Sequence, residues 1–193
     1  MIVWTVQPRS ALDQIAAGGV FRCKPELSYN LSKADSLQGP YSWLMERMRE
    51  KIGPEPAGVV SPVWAWHTWN FERKCPDTES AAFLKRTEEK VLLTLDIPES
   101  DLVLTDFDAW QFVMMNAYVS DAADAASYAA LEKRLEGLSG DALREAVLAS
   151  RENVFLTDPV NNEYLIRGRY IQATFWEARA GYIRDQKILP PNG

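Results

Sequence analysis

Histidine and cysteine are nearly missing from this sequence, which has His67 alone and two thiols, Cys23 and Cys75. Much catalytic chemistry goes with them. No Cys-x-x-Cys or His-x-x-x-His spacing is available to hold zinc, and no metal is expected. A hydrolase triad would have to be built on His67, and there is no Gly-x-Ser-x-Gly elbow to present a serine. No Gly-x-x-x-x-Gly-Lys loop occurs, and Gly18-Gly19 follows a helical segment instead of opening one, so P-loop and kinase chemistry are excluded. Two cysteines are too few for a disulfide framework in 193 residues. With no apolar run of about 20 residues and no leader-like opening, the expectation is a cytoplasmic protein that does not engage a membrane. Positive charge is also short. Lys and Arg number 21 against 27 Asp and Glu, a net charge of -6, so nucleic acid could bind only through a local site.

What is abundant is tryptophan. There are seven, three of them Trp64, Trp66 and Trp69. Indole brings large apolar area and one N–H that must find a partner, so such a cluster is either core or the wall of a cleft for a planar ligand. The remaining composition, 47% hydrophobic and 25% charged, is that of a globular chain, read as one domain over residues 1–193.

Met1 to Val6 is apolar and β-branched, which predicts a strand. A short helix over about 8–17 follows, with Pro8 in its first turn and Gly18-Gly19 as its left-handed stop. Lys24 to Pro40 has no sustained period and reads as a surface loop; residues 41–52 return to helical spacing through Trp43, Met48 and Ile52. Val59 to Trp69 alternates as a strand, with Val63, Ala65, His67 and Trp69 on one face and Trp64, Trp66 and Thr68 on the other. Pro62 argues for an edge or a strand start. Val91 to Ile97 is the clearest strand, and Leu102 to Leu104 is another. Asp106 is a good N-cap for a helix near 107–118, whose apolar Phe112, Val113 and Met115 suggest a central position. Two amphipathic stretches joined at 137–140 make an inserted helical hairpin over 121–150. Tyr170 to Glu177 is a late strand, Ile183 and Ile188-Leu189 close the sheet, and Pro190 to Gly193 is a frayed tail. The expected fold is α+β: a bent, mostly antiparallel sheet of about five to seven strands with flanking helices.

Asp96, Asp101, Asp106 and Asp108 surround one strand-to-helix connection and could act on a divalent ion or as paired acid and base. The structural account is the stronger: two of them look like turn residues, and capping explains Asp106.

Two resemblances add to this reading. Trp4-Thr5-Val6-Gln7, Trp64-Ala65-Trp66, Thr105-Asp106-Phe107-Asp108-Ala109-Trp110 and Ile171-Gln172-Ala173-Thr174-Phe175-Trp176 resemble, over nearly the full length, an uncharacterised bacterial family of short proteins that brings no activity with it. The opening strand ending near a Thr, then a short helix and Gly18-Gly19-Val20-Phe21, is similar to the start of DarT-type ADP-ribosyltransferases. That resemblance implies an ADP-ribosyltransferase-like fold, NAD as cofactor, and a late strand whose Gln-Ala-Glu carries the catalytic carboxylate. Here the strand reads Gln172-Ala173-Thr174, with Thr where Glu is expected. Glu177 is the nearest replacement, but period 2 puts it on the face opposite Gln172 and Thr174. The His or Arg of the opening strand also has no counterpart among Ile2, Val3 and Trp4. The candidate catalytic residues are therefore Gln172, Thr174 and Glu177, and the candidate nucleotide-binding residues are Trp4, Thr5, Trp64, Trp66 and His67. The alternative is a non-catalytic protein-interaction module whose tryptophans are core and whose acidic face meets a basic partner.

Overall fold

Lys90–Asp96 alternates buried and half-buried side chains along its length, with Val91, Leu93 and Leu95 fully enclosed, as period 2 requires of a strand with one face on a core. The structure, a computed structural model, describes residues 1–24, 38–80 and 86–192. In chain order its elements are β1 (Ile2–Pro8), α1 (Ser10–Gly18), β2 (Val20–Phe21), α2 (Gln38–Ile52), β3 (Val63–Trp69), β4 (Lys90–Asp96), β5 (Val103–Asp106) and α3 (Phe107–Met114). Then come α4 (Ala125–Glu136), α5 (Gly140–Ser150), β6 (Val160–Asn161), β7 (Ile166–Arg167), β8 (Tyr170–Phe175), β9 (Ala178–Arg179) and β10 (Ile183–Leu189). Six strands form one sheet in the order β10-β4-β1-β3-β8-β5, and every pairing in it is antiparallel. The fold is α+β. Two short ribbons, β2–β9 and β6–β7, complete it.

The sheet separates two cores. On one face Val3, Val63, Ala65, Leu93, Leu95, Ala173 and Phe175 pack with Ala11 and Ile15 of α1 and with Phe21 and Ala178 of the β2–β9 ribbon. On the other, Val103 and Trp176 pack with Tyr41, Leu44 and Met48 of α2, Trp110 and Val113 of α3, and Val154.

The bounds differ from the sequence reading where long-range pairing overrides local signals. Pro8 does not open the first helix; it is still in the ladder, opposite Lys90, and α1 begins at Ser10. Residues 25–37 of the expected loop lie outside the described residues, and 38–40 already belong to α2. Helix α3 ends at Met114 instead of running to 118. Asn116 there takes the left-handed conformation (φ 52°), its N–H reaches the Val113 carbonyl, and the Ala117 N–H reaches that of Phe112. These two bonds close the helix as Gly does elsewhere. Nor is α3 central: Trp110 and Val113 are buried, but Phe112 and Met115 are 46% and 64% exposed. The C-terminal segment is tied down rather than frayed. Asn192 Oδ1 accepts from the Arg86 N–H, the Asn192 N–H donates to the Arg86 carbonyl, and Arg86 Nε donates to the Pro190 carbonyl. Residue 193 lies outside the described residues.

Strand β3 starts directly after Pro62, so that proline marks a strand start in the middle of the sheet. Its pairing with β8 shifts register between Trp66 and Thr68, leaving His67 as the extra residue of a bulge. A bulge reverses the alternation downstream of it. Thr68 therefore pairs with Ile171 on the face of Ala65, and Trp69 pairs with Tyr170 on the face of Trp66, the reverse of the faces that period 2 alone assigns.

Candidate functional site

The four sequence segments carrying the family-like pattern fall on β1, β3, β8 and the β5–α3 junction, which are lateral neighbours in the sheet. Directly opposed residues in antiparallel strands share a face. Trp4 opposes Trp66, Trp66 opposes Gln172, and Gln172 opposes Thr105, so these four side chains form one row across the sheet. Trp64, Thr174 and Val103 form the next. Both rows face the side covered by α2 and α3.

Against this face lies a cleft of about 370 Å³. Tyr41 of α2 and Trp110 of α3 wall it with Trp64 of β3; the Tyr41 ring stands edge-on to both indoles, at 6.1 and 5.6 Å. Phe107 and Met114 add apolar wall, and Gln111 and Gln172 supply carboxamides. Two polar atoms here are buried with no hydrogen-bond partner among the described residues: Trp64 Nε1, on the cleft wall, and Thr105 Oγ1, beside Gln172 on the neighbouring strand. Native structures leave few such groups unpaired, and each calls for an explanation such as an enclosed water or a ligand. The Gln172 carboxamide also makes no hydrogen bond among the described residues, while Gln111 Nε2 donates to the Phe107 carbonyl at 3.3 Å.

The remaining sequence candidates are distributed around this cleft. Trp66 stands beside it, its ring 5.3 Å from Phe107 and 4.9 Å from Trp69. Trp4 is half-buried in the same row. Thr174 is fully buried, and its hydroxyl donates to the Val103 carbonyl at 3.4 Å. Thr5 lies on the opposite face, where its hydroxyl donates to the Trp64 carbonyl and accepts from Gln7 Nε2, both at 2.7 Å. His67 is buried at the bulge with Nδ1 2.9 Å from Thr68 Oγ1, and burial, helped by the charges of Arg73 and the N-terminus, brings its pKa down to about 4. Glu177 follows the end of β8 and pairs with Arg22 at 3.0 Å and Arg179 at 3.1 Å; it lines a separate cavity of about 190 Å³ with Asp101 and Tyr182. The structure thus gathers Trp64, Gln172 and, at the rim, Trp66. Sequence reasoning did not assign Tyr41, Phe107, Trp110, Gln111 or Met114 to the site. The only signal for Gln111 was a lone amide within the apolar run from Phe107 to Met115.

The four aspartates around the strand-to-helix connection do not form one group. Asp96 pairs with the N-terminal ammonium at 3.1 Å and with Arg184 at 2.9 Å. Asp101 accepts from the Tyr182 hydroxyl at 2.6 Å, and burial together with that bond pushes the Tyr182 pKa up to about 12. Asp106, 1% exposed, caps α3 through Oδ1 on the Ala109 N–H (2.9 Å) and holds the turn before β8 through Oδ2 on the Gly168 N–H (2.6 Å). Asp108, half-buried, lines a cavity on the other side of α3 and pairs with none of the other three.

A family described as Domain of unknown function (DUF3841) matches residues 2–183, from the first residue of β1 to the first of β10. The chain belongs to the DUF3841 family. Among curated proteins and among solved structures nothing matches. The DUF3841 match takes in every residue lining the cleft and five of the six sheet strands entire. Among the described residues of this DUF3841 protein, no helix is long and apolar enough to cross a membrane.

Proposed function

We propose that this DUF3841 protein binds a nucleotide, seating its planar heterocycle in the cleft between β3, β8, α2 and α3, with NAD the ligand class that the sequence resemblance implies. The observation that carries the reading is the Trp64 indole N–H, buried on the cleft wall without a partner among the described residues. A ring nitrogen or carbonyl seated against Trp64 would accept from it once the side chains covering the N–H give way. The Gln172 carboxamide, a donor and an acceptor together, suits the edge of a base or of nicotinamide, and Tyr41 and Trp110 supply aromatic wall. The reading stops at binding: Thr174 is committed to a backbone carbonyl and Glu177 to two arginines. The setting implied by the sequence is the bacterial cytoplasm.

The test is tryptophan fluorescence and thermal shift with NAD, AMP and ATP. At least one should quench emission and raise the melting temperature. Trp64→Phe keeps an aromatic, if smaller, side chain but removes the N–H, and should weaken binding about five- to tenfold. Trp43→Phe, whose ring stacks on Phe155 at 5.7 Å outside the cleft, should not. A flat response to all three ligands, or binding indifferent to Trp64→Phe, overturns the proposal. The second reading, an interaction module, draws on Leu143 and Leu148 of α5, which stay 38% and 45% exposed; it predicts the flat response.

A further inference from the structure

Helix α3 serves two cavities. Phe107, Gln111 and Met114 turn to the cleft described above, while Asp108, Ala109 and Phe112 turn to a second and larger cavity of about 440 Å³. The β6–β7 ribbon closes that cavity from the other side, contributing Tyr164 and Ile166, and Arg169 borders it next to β8. Its volume lies in the range that encloses a small organic ligand.

Besides the capping Asp106 its lining carries four charged side chains, Asp108, Glu163, Arg167 and Arg169, of which Arg167 donates its Nε to the Asp158 carbonyl. The Asp108 carboxylate has neither a hydrogen bond nor an ion pair among the described residues, and Arg169 has no carboxylate partner among them; its guanidinium is held over the Tyr170 ring at 5.0 Å. An acid and a base therefore face one cavity without pairing with each other. Burial first, and the neighbouring Asp106 second, raise the Asp108 pKa, and Arg169 only partly offsets this. A cation brought to Asp108 would relieve it. The rim, in contrast, is apolar: Phe112, Tyr164 and Ile166 line the same space and are 46%, 36% and 45% exposed.

We infer that this cavity is a binding site for a small zwitterion with an apolar side chain, of the α-amino-acid class, its carboxylate on Arg169, its ammonium on Asp108 and its side chain against Phe112, Tyr164 and Ile166. Charge-assisted bonds of this kind are roughly twice as strong as neutral ones, and the apolar rim rewards a side chain that buries it.

The test is calorimetry and ligand-observed NMR with four probes: phenylalanine, hydrocinnamate, which lacks the ammonium, phenethylamine, which lacks the carboxylate, and glycine, which lacks the side chain. Phenylalanine should bind, and each of the other three should bind about tenfold or more weakly. Arg169→Met should abolish the preference for phenylalanine over phenethylamine, and Asp108→Asn the preference over hydrocinnamate. Phe112→Ala, at an exposed position that leaves both charged groups in place, should weaken phenylalanine about threefold or more while leaving glycine unchanged. The bound ring should show nuclear Overhauser contacts to Phe112 and Tyr164. Absence of phenylalanine binding, equal binding of all four probes, or contacts to Trp64 and Trp110 instead would overturn the inference.

Discussion

Asp106 joins two elements with one carboxylate. Oδ1 caps α3, and Oδ2 fixes the Gly168 N–H 62 residues along the chain, both in a buried setting. Capping alone would predict that Ser replaces Asp with little loss. The second bond changes that expectation, because the two donors are met by different carboxylate oxygens and the one oxygen of the shorter Ser side chain does not reach both positions. Asp106→Ala should cost about 3 kcal/mol, since it strands two amide donors that a charged acceptor now satisfies. Asp106→Ser should recover only about 1 kcal/mol of this, the contribution of the cap. Urea unfolding of the three proteins checks it; full recovery by Ser would show the Gly168 bond to be worth nothing. Neighbouring Asp108 illustrates the opposite case, a carboxylate that the local sequence explains as first-turn acid on a helix dipole but that no donor among the described residues occupies.

Turns and bulges decide the element scale. At the turn between β7 and β8, Gly168 has φ +76°, and a Cβ there would meet the Pro159 Cα at 2.9 Å and the Thr157 carbonyl at 3.0 Å. Both are backbone atoms that cannot swing aside. Gly168→Ala should therefore cost about 3 kcal/mol through left-handed strain and overpacking together. Gly181, with ordinary φ and nothing within 4 Å, should accept Ala within about 0.5 kcal/mol. Thermal unfolding of the pair separates glycine required by geometry from glycine merely tolerated. The β3 bulge works in the same local way on a larger object. By making His67 supernumerary it brings Trp69 to the face that Trp66 and Tyr170 already share, where the rings lie 4.9 to 6.4 Å apart.

For the whole molecule, stability should depend on pH at both ends, with signs set by particular groups. His67, 8% exposed, has its pKa lowered from the ordinary 6.5 to about 4. The unfolded chain therefore takes up a proton between those values that the folded chain refuses, and stability falls as pH drops through that window, by up to about 3 kcal/mol. The carboxyls of Asp96 and Asp101, held below their usual range by bonds to Arg184 and Tyr182 respectively, add losses further into acid. At the alkaline end Tyr182, raised from 10.0 to about 12, contributes stability present below its ordinary value and lost as pH rises through the folded one. Urea midpoints measured from pH 4 to 8 should slope upward in the parent protein and flatten in His67→Asn. An unchanged slope in that variant would assign the acid loss to carboxylates alone.

The sequence by itself determined what depends on neighbours a few residues away. Alternation specified β4 and the start of β3, helical spacing and Gly19 specified α1, and the Asp106 side chain specified the start of α3, because caps and periodicities are properties of a short stretch of backbone with its own side chains. The family pattern was equally legible, since it is written in residue order. Tertiary structure alone decided the partners. That Trp4, Trp66, Gln172 and Thr105 form one row, that His67 is a bulge, that Asp106 also reaches Gly168, and that Tyr41 meets Trp64 all rest on pairings across 23 to 106 residues. Such pairings are selected by burial summed over the whole chain rather than by any local preference. The same cause made Pro8 a strand residue, exposed Phe112 and Met115 on α3, and placed Asp108 and Arg169 around one cavity: each is a matter of which apolar surfaces the two cores could cover, and that is settled only once the sheet order is.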